Sequence, residues 1–489
     1  MIRSLVAAAL ALAGCRDTPA ARPASQGSAG SAGSAGSAGS AGSGSAVVDP
    51  WAAKAAPKPP DTPESRRQRA EAALGRVAAI EPEVAKLRGL AFEHDVPTRY
   101  QTAAEFQAFV HREIAKELPP ARSHNLAVAL AHIGLLPKPI ELAEVEEQAM
   151  TTQAGAYYDP TAKQFCLVMV PDSDLLLDAI SAHELTHALQ DQHFDLNRYL
   201  PSDSRIDDDA AAARRFVAEG DATFVMLLYA ARGVAGDQLS PAVVASLRGQ
   251  IATLAAQDVD TLKAQVRGQV AAFGRMAPEI KQSIDAMDDI PLTVLVPLLD
   301  SYMKGALVVV TAYEHGGWPG VDALYRDPPA STEQVLHPAT KLFPARERPH
   351  RVTLARPTDP ELAGNVLGEL QWKIYFELWK SPRAEQASEG WGGDRYSVTR
   401  RKDGRLIARL ATIWDTPGDA EQFAAAYLDT LAARFPGAPP LSPAAGAAGV
   451  PRPDGGRVFV RTAGARVFIV DGADDVAALD ALVRTTRFD

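Results

Sequence analysis

The sequence predicts an α+β protein, in which a mainly helical body with a small strand unit is followed by a C-terminal ββαββα module. Helix-start signals recur along the chain: Thr62-Pro63-Glu64 sets a hydroxyl cap before proline and an acid, and Thr102 with Glu105 forms a capping box. Strand-like runs are confined to "GAYYDPTAKQFCLVMV" and the stretch beyond Trp391. The chain has 489 residues, 46% of them hydrophobic, so it can bury cores, and its length suggests about three domains.

Taken in order, residues 1–15, "MIRSLVAAALALAGC", place Arg3 before an apolar stretch from Ser4 to Ala13. The stretch falls short of the roughly 20 residues a spanning helix needs and reads as a signal peptide. Its end, Leu12-Ala13-Gly14-Cys15, resembles the lipobox of bacterial lipoproteins. That resemblance implies that Cys15 is lipidated as the mature N-terminus and anchors the chain to a membrane. Arg16 stands where inner-membrane lipoproteins of enteric bacteria carry Asp, which favours the outer membrane or cell surface. Residues 16–61 read as a flexible linker. Glycine recurs at every third position from Gly27 to Gly42 without the proline of collagen, and a proline-rich stretch follows. Random-coil scaling lets it hold the body on the order of 35–40 Å from the anchor.

Residues 62–150 form a helical N-terminal region. Residues 151–390 are expected to form the chemical centre of the chain. Asp159 to Lys163 is a turn between two short strands, and helical periodicity returns from Asp172. Helices are expected over roughly 208–232, 240–287 and 291–326, and "STEQVLHP" opens with a capping box from Ser331 to Gln334. In residues 391–489, Asp403-Gly404 and Thr462-Ala463-Gly464 mark two hairpins. Thr416-Pro417 starts a helix between them, and a last helix closes the module. The formal net charge of −10, with no basic stripe, argues against nucleic acid as a partner. Cys166, in an apolar run, is the only cysteine besides Cys15, so no internal disulfide supports the fold.

The chemistry centres on "SAHELTHALQDQHFDL", residues 181–196, which contains H-E-x-x-H as His183, Glu184 and His187. On a helix, residues i and i+4 share a face, so both imidazoles can reach one zinc ion at about 2.0–2.1 Å. Glu184 is rotated by about 100° from His183, which suits a general base acting on a water rather than a ligand. Two residues compete for third ligand. His193 has the spacing of the metzincins, but those proteins break the helix with glycine where this chain has Gln190. If the helix continues, His193 lies about 15 Å along the axis from His183 and cannot reach the same ion. Glu219 sits in the apolar helical segment "RRFVAEGDATFVMLLYAARG", where a carboxylate is costly unless paired or metal-bound. It is preferred, with His193 as the alternative. A competing explanation for Glu219 is a buried pairing with Arg214 or Arg215.

H-E-x-x-H on one helix with Glu on the next resembles the gluzincin plan. The motifs "AHELTHALQDQHFDL", "AEGDATFV" and "PPASTEQVLHP", with "GAYYDP" upstream, resemble a group of predicted bacterial zinc metallopeptidases, many of them lipoproteins or exported proteins. The resemblance covers roughly Val84 to Pro338 and implies a gluzincin-like catalytic fold. Many gluzincins carry Asp four residues after the third-ligand Glu to orient the first His. Here that position is Thr223, which leaves Asp191 as a candidate for the orienting role. Tyr157, Tyr158 and His337 are candidate oxyanion stabilisers, each with packing or helix capping as the competing role.

The sequence thus leads us to expect a membrane-anchored zinc metallopeptidase, a hydrolase acting on a peptide or protein substrate laid along a strand edge near Tyr157–Val170. The competing readings are a non-peptidase zinc hydrolase and a lipoprotein scaffold or binding module with a structural metal.

Overall fold

The computed structural model describes residues 62–151, 155–170, 173–201, 205–235, 240–272, 285–437 and 448–489. The expected signal peptide, the lipobox at Cys15 and the linker lie outside the described residues. Within them the protein is α+β.

Helix α1 (Pro63–Arg88) starts where Thr62 caps it, with the Thr62 hydroxyl accepting from the Ser65 backbone, and stops at Gly89 in the left-handed region. Strand β1 (Thr98–Tyr100) is followed by α2 (Ala103–Glu117), opened by the Thr102–Glu105 capping box. Helices α3 (Pro120–Ile133) and α4 (Leu142–Thr151) complete the N-terminal region. Strands β2 (Ala156–Asp159) and β3 (Gln164–Leu167) form the expected hairpin. Asp159 fastens its turn by accepting from the backbone of Thr161 and Ala162. The short β1 adds in parallel to β3, so the sheet order is β1-β3-β2 and β2 is an edge.

Helix α5 (Asp174–Phe194) carries the H-E-x-x-H motif, and the four-residue α6 (Leu196–Tyr199) follows it. Helix α7 (Asp208–Ala235) runs unbroken through Gly220. The expected helical stretch over 240–287 is instead divided into α8 (Pro241–Ala255) and α9 (Val259–Ala272), with residues 273–284 outside the described set. The division falls at Asp258, whose carboxylate recaps the chain by accepting from the Thr261 backbone and hydroxyl.

Helix α10 (Leu292–Arg326) is kinked at Gly316 and Gly317, so His315 ends its first segment. It is apolar and long enough to cross a membrane, yet most of its apolar stretch is buried in the core. There it packs on α7 at van der Waals limits. A Cβ on Gly305 would stand 2.2 Å from the Phe216 carbonyl oxygen, and one on Gly220 would stand 2.1 Å from the Gly305 carbonyl carbon. Only two glycines let these backbones touch. Helices α1, α5, α7 and α10 share the largest apolar core, to which α1 contributes Ala70, Val77, Ile80 and Val84.

The short α11 (Thr332–Leu336) begins at Ser331, whose hydroxyl accepts from Gln334. Its capping box is incomplete: the Gln334 side chain accepts from Ala330, not from Ser331. Beyond β4 (Val352–Thr353), β5 (Glu361–Ala363), α12 (Gly368–Leu378) and α13 (Ala384–Ser388), the two predicted hairpins are present. They are β6 (Trp391–Arg400) with β7 (Leu406–Trp414), and β9 (Arg457–Ala463) with β10 (Arg466–Ala473). Helix α14 (Pro417–Arg434) connects them, and α15 (Ala477–Thr485) follows.

Edge strands β5 and β8 (Ala448–Pro451) extend the ββαββα unit to a sheet of order β5-β6-β7-β10-β9-β8. One sheet face packs on α12, α14 and the end of α3 through Trp372, Phe423, Tyr427 and Ile133. The other packs on α15 through Phe468, Leu479 and Leu482. The final strand β11 (Arg487–Phe488) returns to pair with β4.

Candidate metal centre

Helix α5 is capped at Ser173 and ends at Asp195, which adopts φ +55°. It therefore passes Gln190 by a full turn, as the absence of glycine there requires. His183 and His187 lie one turn apart on its buried face, their rings edge to face at 4.8 Å between centroids. Helix α7 returns alongside and delivers Glu219 between them. Glu219 Oε2 is 3.3 Å from His183 Nε2 and 3.6 Å from His187 Nε2, and the two Nε2 atoms are 3.2 Å apart. A tetrahedral ion at about 2.05 Å from each ligand sets ligand atoms about 3.3 Å apart, so this triangle has the size of a zinc site's protein face. The three residues are about 1% exposed, and neither Arg214 nor Arg215 pairs with Glu219 among the described residues. Arg214 instead donates to the Tyr199 carbonyl.

The charges follow from that packing. Burial by itself would raise Glu219, but hydrogen bonds and charge from His183 and His187 hold it well below the ordinary carboxylate range. Burial likewise lowers His187, and Glu219 more than reverses it, so His187 lies above its ordinary value.

Glu184 sits beside the triangle and is 1% exposed. Its Oε2 accepts from the Tyr158 backbone N–H at 2.8 Å, on the outward edge of β2. Its Oε1 is buried with no hydrogen-bond partner among the described residues. Such an orphaned acceptor costs about 1–3 kcal/mol unless a donor reaches it, so the site is built to receive one.

The residue that orients a ligand histidine is Gln190, which the sequence had offered only as an obstacle to a helix break. Its Nε2 donates to the Ala218 carbonyl at 3.0 Å and to Asp221 at 3.2 Å. That fixes Oε1 toward His187, where it accepts from Nδ1–H at 2.8 Å. The neutral ring therefore keeps its proton on Nδ1 and leaves Nε2 free for a metal, while in the metal-free protein a second proton at Nε2 faces Glu219. Asp221 is in turn gripped by the fully buried Arg88 of α1 at 3.0 Å and by the Tyr325 hydroxyl at 2.9 Å. His183 has no equivalent support: its Nδ1 and the Thr223 hydroxyl both lack a hydrogen-bond partner among the described residues. The ring of Tyr302, on α10, tilts over His183 at 5.9 Å.

The remaining candidates stand elsewhere. His193 lies on the last turn of α5 and bonds to the Ala91 carbonyl at 2.7 Å. Asp191 does not orient a histidine, because its Oδ2 accepts from the Tyr158 hydroxyl and from Lys163 while its Oδ1 accepts from Leu196 N–H. Tyr157 is buried against Phe106 and Phe109 and donates to Gln101. The Tyr158 phenol is spent on Asp191; burial and that carboxylate hold it above its ordinary value, and only its backbone N–H addresses the site. His337, which ends α11, pairs with Glu369 of α12 at 2.7 Å, and that contact raises its pKa.

A protein-family model described as "Domain of unknown function (DUF8575)" matches residues 356–483, the region of β5 to α15. No curated protein and no solved structure matches the chain.

Proposed function

We propose that the chain is a zinc metallopeptidase whose ion is held by His183, His187 and Glu219. The observation that carries this reading is the three-ligand triangle with the free oxygen of Glu184 beside it. A zinc ion there would supply Lewis acidity toward a water and a scissile carbonyl. The residues provide the rest. Gln190 keeps the His187 proton on Nδ1, so that Nε2 is a lone-pair donor. Tyr158 N–H anchors Glu184 through Oε2 and leaves Oε1 to accept a proton from the attacking water and return it to the leaving amine nitrogen. The substrate is proposed to lie extended beside β2, the edge strand whose Tyr158 N–H is given to Glu184. In this reading the lipobox at Cys15 anchors the enzyme to the membrane of its exported compartment.

A second reading is favoured by one observation. His183, Glu184, His187 and Glu219 are each about 1% exposed, which suits a metal that ties α5 to α7 structurally. Such a site commonly closes all four positions with protein ligands and needs no base. Glu184→Gln separates the two readings. On the peptidase reading it retains the metal and loses nearly all hydrolysis of a casein or peptide-library substrate, both measured on one preparation. Loss of metal together with activity, or no hydrolysis by the zinc-loaded wild type, would defeat the role of base.

A further inference from the structure

A groove of about 970 Å³ runs between the start of α7, residues 327–330, and the six-stranded sheet, and shares no lining residue with the candidate metal centre. Its floor is the β6–β7 end of the sheet face that α15 covers at the other end. There the pattern changes. Ala411 and Ile413 belong to the apolar core beneath α15, whereas Arg395, Ser397 and Arg409 line the groove, with Ser397 and Arg409 directly paired across the strands. Arg409 is held in place by donating to the Ala355 carbonyl at 3.0 Å and to the Ser397 hydroxyl at 3.1 Å. Arg395 donates to the Gly364 carbonyl. Arg351 and Arg356 rise exposed on the wall formed by residues 348–357.

None of these four arginines makes an ion pair with a carboxylate among the described residues. The groove's acids are engaged otherwise. Asp394 is buried and accepts from the indoles of Trp372 and Trp391, Glu361 accepts from Ser397, Asp327 pairs with Arg346, Asp207 accepts from the Ala210 backbone, and the buried Asp209 accepts from the Thr332 backbone and hydroxyl. Glu361 and Asp208 lie near enough to act on Arg409 and Arg395 through space, but no carboxylate among the described residues makes a direct ion pair with any of the four, and in a chain of net charge −10 such a concave run of guanidinium groups is a place for an anion.

The geometry points to a binding site for an extended acidic peptide, its carboxylates meeting Arg351, Arg356, Arg395 and Arg409 and its apolar side chains meeting Ile206, Leu354 and Val366 between them. A flat anionic membrane does not fill a concave groove. A nucleic-acid strand stacks its bases along a run of exposed rings, and of the two rings lining the groove Trp391 is 1% exposed, which leaves His350 alone. The inference does not depend on the metal-site reading, since binding is measured without turnover.

The test is fluorescence anisotropy of a labelled peptide of alternating glutamate and leucine. Parallel titrations use an oligonucleotide and phosphatidylglycerol vesicles. The acidic peptide is expected to bind, and to release when ionic strength reaches about 1 M, where the screening length is about 3 Å. The double variant Arg351→Glu, Arg356→Glu changes only exposed side chains, so it should fold, as an unchanged thermal melt would confirm. It should bind roughly tenfold or more weakly. Reversing Arg112 and Lys116, exposed on α2 and equal in charge, should leave affinity unchanged. Equal weakening by both double variants, no weakening by either, or binding of only the oligonucleotide or the vesicles would overturn the assignment.

Discussion

Replacing Gln190 by leucine tests the link between the metal centre and the helical core. Three hydrogen bonds vanish: to His187 Nδ1 at 2.8 Å, to the Ala218 carbonyl at 3.0 Å and to Asp221 at 3.2 Å. They are not equal losses. The Ala218 carbonyl lies inside α7 and keeps its intrahelical partner, and Asp221 keeps Arg88 and Tyr325. Only the His187 N–H is left buried and unsatisfied, at about 1–3 kcal/mol, and the two lesser bonds add about 0.5–1.5 kcal/mol each. The metal-free protein should therefore lose about 2–6 kcal/mol in urea denaturation. With the ring's tautomer and orientation released, metal affinity should fall about 10–100-fold, read by competition with a chromophoric chelator. Gln190→Glu is the companion. It keeps an acceptor for His187 but sets a carboxylate beside Asp221, so it should cost stability while sparing metal affinity. A folded leucine variant that binds zinc as tightly as the wild type would refute the argument that Gln190 orients His187.

Two further substitutions follow from the packing. Glu219→Ala should lower zinc affinity by more than the ~10–100-fold typical of an orienting residue, whereas His193→Ala should leave it unchanged; titration calorimetry of both decides. Gly305→Ala drives a Cβ to 2.2 Å from the Phe216 carbonyl oxygen, one turn before Glu219. It should destabilise the protein by about 1–3 kcal/mol in a denaturant melt and weaken metal binding with it.

The parts of the site legible in the sequence were those set by local periodicity. The i, i+4 histidines and the missing glycine at Gln190 fix what α5 presents and how far it runs. Glu219 stood out because a carboxylate in an apolar helical segment needs a reason. The orienting role of Gln190 was not legible, because it depends on which backbone carbonyl and which carboxylate α7 places against it. Asp191 has a helical spacing that suits the same role, yet the β2–β3 turn claims it through Tyr158 and Lys163. Gly220 looked like a blemish in a helix; its meaning lies in Gly305, 85 positions later by the sequence numbering. The C-terminal hairpins were announced by their turns, but β5 and β8 are edge strands of three and four residues with no pattern of their own. Arg351 and Arg356 share one segment, but Arg395 and Arg409 join them only through the β6–β7 pairing, so the sequence does not show the four as one group.

The electrostatics of the metal-free centre lead to a pH test with a definite sign. His187 lies above its ordinary value of about 6.5 because Glu219 outweighs its burial. A basic group raised in the folded state gives stability that is fully present below about pH 6.5 and is lost as pH rises through the raised value. Glu219, held below its ordinary value of about 4.3, gives stability present above that pH and lost as pH falls through the depressed value. The metal-free protein should thus lose stability at this pair as pH climbs above about 6.5. Zinc reverses the trend, because the ion must displace the His187 proton and so binds more tightly as pH rises. Groups away from the ion, such as His337 raised by Glu369, behave alike in both forms and cancel in the difference. The gap in Tm between zinc-loaded and chelated protein should therefore widen as pH rises above about 6.5. Glu219→Gln removes the charge that holds the proton, so its chelated form should lose this part of the pH dependence. A wild-type gap that stays constant or narrows would show that His187 and Glu219 are not coupled as their 3.6 Å separation requires.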